Sequence, residues 1–155
     1  MGDYRMRRDL ALPIMPAPLP AGMHLVPFDK RVANDARELL RRVYPEGLND
    51  GGISFEGFWD WLTHDPGYDP ELMFVASSNG MTVGFCHCWR AAYVKNLAVD
   101  ARFRHRGIGA ALLTLAIEEF ARRGATSVDL ETEPDNQVAQ SLYRRLGFVV
   151  VAEDD

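Results

Sequence analysis

From Leu97 to Phe120 the chain runs from an apolar strand signal, through a turn carrying Arg102, Arg104 and Arg106, directly into a long helical repeat. Ile108, Ala111, Leu112, Leu115, Ala116 and Phe120 recur on one face of that helix, and Gly124 ends it. Ser127 to Glu131 then reads as another strand. A strand, a helix and a strand in that order require a sheet crossed over by a packed helix.

The remaining pattern fits around this unit. Met23 to Phe28 reads as a short strand. Asp29 is a helix N-cap, with Val32, Ala36, Leu39, Leu40 and Val43 on one face up to Tyr44, and Pro45 ends the helix. Asn49 to Gly52 is a loop. Ser54 caps a second helix whose Phe55, Phe58, Trp59 and Leu62 fall at helical spacing. Leu72 to Ser77 and Met81 to Trp89 are strands joined by the Asn79-Gly80 hairpin signal, and Ala91 to Val99 is the next strand. Past the crossover, Gln137 to Leu146 is a helix closed by Gly147, and Phe148 to Ala152 is a final strand. The order β-α-α-β-β-β-α-β-α-β describes a mixed α/β domain. Glu118–Arg122 and Glu119–Arg123 are spaced to pair on the outside of the long helix.

Residues 1–22 read as an extended, proline-stiffened arm and 23–155 as the folded domain. Arg5, Arg7 and Arg8 precede an apolar stretch that loosely imitates a secretion signal, but Pro13, Pro16, Pro18 and Pro20 forbid its helix. With no apolar run long enough to span a bilayer, no membrane role is expected. Cys86 and Cys88, the only cysteines, lie too close in one strand for good disulfide geometry. They also lack further ligands at metal spacing, so no metal site is expected and a cytoplasmic setting is the default. The net charge of −5 argues against nucleic acid as a partner, since phosphate binding draws on excess cations.

Against that acidic background, the turn before the long helix concentrates positive charge. The first N–H groups of a helix lack internal partners and sit at the positive end of its dipole. Gly107 and Gly109 let a phosphate approach them closely. The dinucleotide fingerprint is excluded because Leu112 occupies its third glycine position, and the Gly-Lys-Ser/Thr of nucleotide P-loops is absent. A pyrophosphate cradle and a plain helix start remain the two local readings.

Two blocks resemble a known family. Arg104-His105-Arg106-Gly107-Ile108-Gly109 is similar to the R/Q-x-x-G-x-G/A signature of the GNAT superfamily of N-acetyltransferases. Asn136 to Phe148 is similar to that family's N-x-x-A-x-x-L-Y-x-x-x-G-F. The close resemblance covers Leu97 to Val150. It implies a central mixed sheet flanked by helices, acetyl-CoA as co-substrate, and an amine acceptor attacked directly in a ternary complex. The backbone of Arg104, His105, Arg106, Gly107, Ile108, Gly109 and Ala110 would hold the pyrophosphate. Leu97, Ala98 and Val99 would run beside the pantetheine arm, with a backbone N–H near Leu97 stabilising the oxyanion. Asn136 would touch the cofactor arm, and Tyr143 would protonate the departing thiolate.

The base stays open. Many relatives carry Glu on the strand before the position of Leu97, where this chain has Tyr93, Val94, Lys95 and Asn96. His87 is the nearest substitute, although its spacing with Phe85 and Trp89 equally suits a packed histidine. Glu131 acting through water is another. The missing carboxylate keeps a non-catalytic acyl-CoA-binding or sensing module as the alternative. In the family the first two helices wall the acceptor pocket, where Asp60, His64 or Glu46 could supply polar contacts. Members also usually add one more strand after the one matching Phe148 to Ala152. On this pattern the chain reads as one complete domain, a strand short. The gap would be filled by residues 1–22, filled by a partner subunit in a homodimer, or left open.

Overall fold

The computed structural model describes residues 2–44 and 52–154. Pro45, Glu46 and the 49–51 part of the expected loop lie outside the described residues. The strands are β1 (Tyr4–Asp9), β2 (Met23–Val26), β3 (Met73–Ser78), β4 (Met81–Trp89), β5 (Tyr93–Val99), β6 (Ser127–Thr132) and β7 (Phe148–Glu153). The helices are α1 (Lys30–Val43), α2 (Phe55–His64), α3 (Ile108–Arg122) and α4 (Gln137–Arg145). Among the described residues the seven strands form one sheet in the order β2-β3-β4-β5-β6-β1-β7. Only β5 and β6 pair in parallel; the other neighbours are antiparallel.

Strand β1 adds a strand to the expected order. Of the three alternatives for the missing strand, the structure shows the first: within residues 1–22, Tyr4–Asp9 lies inside the sheet, hydrogen-bonded to β6 on one side and β7 on the other. It fills the slot that the family pattern assigns to a strand after β7. Met6 is fully buried, while Arg5 and Arg7 on the opposite face both bind the Asp129 carboxylate, at 2.8 and 2.7 Å.

The sheet is covered on both sides. Helix α3 packs Ile108, Leu112, Leu113, Ala116, Ile117 and Phe120 against Ala76, Val83, Cys86, Cys88, Val128 and Leu130. Helices α1 and α2 cover Val75, Phe85 and Ala98 from the other side. Asp29 and Ser54 cap α1 and α2 as expected, accepting from Val32 N–H and Gly57 N–H. Asn79 and Gly80 both take positive φ, at 50° and 78°, as the tight hairpin between β3 and β4 requires. On the outside of α3 the expected Glu119–Arg123 pair forms, while Arg122, expected on Glu118, binds Glu119 as well. Arg123 also reaches Asp69 at 2.8 Å. Among the described residues no helix is long and apolar enough to cross a membrane.

Helix α3 owes its close seat to Gly84. A Cβ there would stand 2.7 Å from Ile108 Cγ2 and 2.8 Å from Leu112 Cδ1, both on buried side chains. Gly84→Ala is therefore expected to cost about 1–3 kcal/mol through overpacking. At about 2–4 °C per kcal/mol the thermal midpoint should fall by several degrees, and an unchanged midpoint would show that α3 shifts without strain.

Candidate active site

The sheet opens where β5 and β6 should continue side by side. Their ladder holds only Tyr93↔Asp129 and Val94↔Leu130. At the next residue β5 bulges: Cys88 pairs with Val94 but His87 pairs with Asn96, leaving Lys95 as the extra residue. A bulge bends its strand and ends local pairing, so the edge of β5 from Lys95 to Val99 has no β6 partner. The bulge also reverses side-chain parity. Val94 and Leu97 both face α3, although they are three residues apart, and Ala98 faces α1.

Beyond β5, Asp100 accepts from Arg102 through its backbone N–H, Nε and Nη2, and Arg42 approaches it at 3.3 Å. These guanidinium contacts lower its pKa to about 2. Arg102, one of the three turn arginines, thus serves this carboxylate rather than the mouth of α3. Arg104, His105 and Arg106 are exposed, and the Arg106 guanidinium lies 5.1 Å from the Phe103 ring centre. His105 and Gly107 both have left-handed backbone, with φ of 63° and 85°. Gly107 is the N-cap of α3 and offers no side-chain cap, so the N–H groups of the first turn, from Ile108 to Ala110, stay available to an anion. Gly109 lets the next helix come close, since a Cβ there would already touch Leu142 at 3.4 Å and Val99 at 3.6 Å.

Helix α4 brings the second block to this mouth. Asn136 caps it through Oδ1, accepting from Ala139 N–H at 3.1 Å, so this oxygen is committed to the helix. Tyr143 packs on the α3-side core with its ring 6.0 Å from that of Phe148. Among the described residues its hydroxyl makes no hydrogen bond. Burial, with smaller effects from Tyr44 and Cys86, pushes the phenol pKa up, so it stays protonated. Tyr44, the C-cap of α1, has its own pKa raised by burial and by Glu133. It stands near Tyr143, a neighbour that the sequence marked only as a helix end.

The candidate bases sit differently from one another. His87 is 2% exposed, lies between Phe85 and Trp89 with ring centres at 5.9 and 4.4 Å, and has no partner for Nε2. Burial, helped by the Lys95 charge, lowers its pKa to about 3, which suits the packed reading better than the base. Glu131 accepts from Tyr93 Oη at 3.0 Å, with Arg5 Nη1 at 4.0 Å. The Tyr93 pKa is pushed up to about 12, chiefly by burial and this bond. Cys86 and Cys88 are buried free thiols 3.6 Å apart, facing α3, away from His87.

His87 has a consequence for stability. The unfolded imidazole titrates near ~6.5 and takes up its proton before the folded one, so stability from keeping it neutral is complete above that pH. It is lost as the pH falls toward about 3. Thermal melts between about pH 7 and pH 4 should show a smaller loss for His87→Phe than for wild type, whereas parallel curves would contradict the assignment.

Around α2, Phe58 is buried, Phe55 and Trp59 are partly buried, and Trp61 is 47% exposed against Trp89. His64 Nδ1 contacts the Asp60 carbonyl at 2.7 Å within the same helix. Glu46 lies outside the described residues.

The profile of the Acetyltransferase (GNAT) family matches residues 33–148. The chain is 35% identical over 142 residues to a mycothiol acetyltransferase of Clavibacter michiganensis subsp. michiganensis, covering 88% of this chain and 46% of that one. It is 36% identical over 132 residues to N-alpha-acetyltransferase 30 of Schizosaccharomyces pombe, covering 80% and 82%. A GCN5-related N-acetyltransferase from Sphaerobacter thermophilus superposes with a TM-score of 0.78 at 27% identity, covering 96% of this chain and 48% of that chain. Arabidopsis thaliana Naa50, solved with the bisubstrate analogue CoA-Ac-MVNAL, shares the fold with a TM-score of 0.67 at 20% identity. The chain spans about half the length of the mycothiol acetyltransferase it matches. With the profile covering most of its length, and with relatives at this identity, the chain belongs to the GNAT acetyltransferase family.

Proposed function

We propose that this domain transfers the acetyl group of acetyl-CoA to a primary amine by direct attack, with both substrates bound together. The observation that carries this reading is the parting of β5 from β6 after Val94, beside the uncapped start of α3 and the protonated Tyr143. In this reading the N–H groups of residues 104–110 hold the pyrophosphate, with Arg104 and Arg106 adding charge. Leu97, Ala98 and Val99 offer the unpaired edge of β5 to the pantetheine amides, as an added strand would be held. A backbone N–H near Leu97 stabilises the oxyanion, a contact of roughly 3–4 kcal/mol in other acyl transfers. Asn136 lies at the head of α4, where the cofactor arm would pass. Tyr143 donates a proton to the departing thiolate: a thiol titrates near ~8.5 and a free phenol near ~10, so the phenol is the proton holder at neutral pH.

The acceptor follows from the base. Tyr93 to Asn96, the stretch before Leu97 where many relatives carry a carboxylate, supplies none, His87 is packed away, and Glu131 is engaged by Tyr93. Freeing a side-chain ammonium of pKa ~10.4 at pH 7 costs about 4–5 kcal/mol, whereas an α-ammonium near ~8 costs only about 1 kcal/mol. A site without a strong base therefore suits an α-amine, on a small molecule or at a protein N-terminus. The name of the Schizosaccharomyces pombe relative, N-alpha-acetyltransferase 30, is compatible with such an acceptor.

The weak base also supports the second reading, a non-catalytic acyl-CoA-binding module. Release of free CoA, followed with a thiol reagent over α-amines and alkyl side-chain amines, separates the two. Saturable release with α-amines supports the enzyme. Acetyl-CoA binding with no release across the panel supports the sensor.

A further inference from the structure

We propose that Arg8, delivered by β1, positions Tyr143 for the reaction; this rests on the reading of Tyr143 as the acid. Arg8 sits opposite Val128 in β6 and Phe148 in β7, with its side chain on the core side of the sheet. It is 4% exposed. Its guanidinium is spent on backbone carbonyls: Nε donates to Leu146 at 3.0 Å, Nη1 to Asp9 at 2.8 Å and Leu12 at 3.1 Å, and Nη2 to Pro13 at 2.9 Å. Among the described residues no carboxylate lies within ion-pair distance of it.

Leu146 is the C-cap of α4, one turn beyond Tyr143. The last carbonyls of a helix lack internal donors and form the negative end of its dipole, so a cation placed there fastens the helix end. The chain makes room for this cation. Gly147 turns with φ of 98°, and a Cβ there would lie 3.2 Å from Arg8 Nε and 3.4 Å from Arg8 Cγ. Leu146 N–H donates back to the Leu142 and Tyr143 carbonyls, and Phe148, directly after the turn, packs against the Tyr143 ring. One side chain of the N-terminal strand therefore ties down the C-terminal end of the helix that carries Tyr143. Arg8 also closes the turn at Leu12 and Pro13, so the start of the chain and the acid share one anchor.

A double-mutant cycle tests this. Arg8→Lys keeps the charge but loses the planar fork that serves four carbonyls; Arg8→Met removes both. Each is measured alone and combined with Tyr143→Phe, reading kcat, KM for acetyl-CoA and the thermal midpoint. Arg8→Lys should lower kcat about tenfold, or about 1.4 kcal/mol, with KM for acetyl-CoA within about twofold. In the Tyr143→Phe background it should lower kcat no further, because a misplaced acid cannot be lost twice. Losses that multiply overturn the proposal, as does a lowered midpoint with unchanged kcat, which marks a structural role only. If Tyr143→Phe alone leaves kcat intact, the acid reading fails and the proposal falls with it, a pattern distinct from multiplied losses. Should Arg8→Met yield no folded protein, Arg8→Lys decides.

Discussion

Tyr143→Phe is expected to lower kcat at least tenfold while KM for acetyl-CoA stays within about twofold. The substitution removes one oxygen and leaves the ring against Phe148 and the α3-side core, so packing is kept. Burial holds the hydroxyl protonated, and it has no hydrogen-bond partner among the described residues. A donor that is protonated and uncommitted is suited to a leaving thiolate. General acid catalysis contributes typically 10²–10⁴-fold, so a tenfold loss is the modest end of the expectation. Each factor of ten corresponds to about 1.36 kcal/mol in the barrier. Because the proposed pyrophosphate contacts lie at residues 104–110, in the turn before α3 and its first residues, and not on α4, acetyl-CoA binding should be nearly untouched. Steady-state rates at saturating acceptor check this, and a kcat equal to wild type would remove Tyr143 from the mechanism.

Deleting residues 1–9 is expected to abolish cooperative unfolding. Without β1, β6 and β7 would face one another across an empty strand position, and Met6 would leave the core. A buried Met truncated to Ala costs about 2–5 kcal/mol by itself. The deletion adds the loss of two backbone ladders and exposes unpaired edges that invite aggregation. Asp129 would also keep its charge with neither Arg5 nor Arg7 to balance it. Against a total stability of about 5–15 kcal/mol, little would remain. Thermal melts and limited proteolysis of the shortened chain read this out, and a melt matching wild type would mean that β1 is dispensable.

Much of this architecture was visible in the residues. Met81–Trp89 is a strand with the bounds its pattern implies, and the caps at Asp29 and Ser54 and the Asn79-Gly80 turn depend on local chemistry that a sequence displays directly. Strand β1 was less readable. Its inward residues are Tyr4, Met6 and Arg8, so the alternation that marks a half-buried strand ends on a guanidinium. That guanidinium is tolerable inside only because carbonyls from Asp9, Leu12, Pro13 and Leu146 surround it, and Leu146 lies at the far end of the chain. The Lys95 bulge left no trace either, because Val94, Leu97, Ala98 and Val99 look like one continuous apolar strand until the β4 register is known. At the site, the glycines before α3 were legible locally, and the Asn136–Phe148 block through its resemblance to the family pattern. The claim of Asp100 on Arg102 is a local contact between residues two apart, whereas the burial of His87 and the nearness of Tyr44 to Tyr143 are tertiary facts.

The central claim is that the mouth between β5, α3 and α4 is an acetyl-CoA site, and calorimetric titration of the full chain with acetyl-CoA tests it most directly. Saturable one-to-one binding, tighter than about 1 mM or −4.1 kcal/mol, is the predicted result. No heat and no thermal stabilisation at millimolar acetyl-CoA would contradict it.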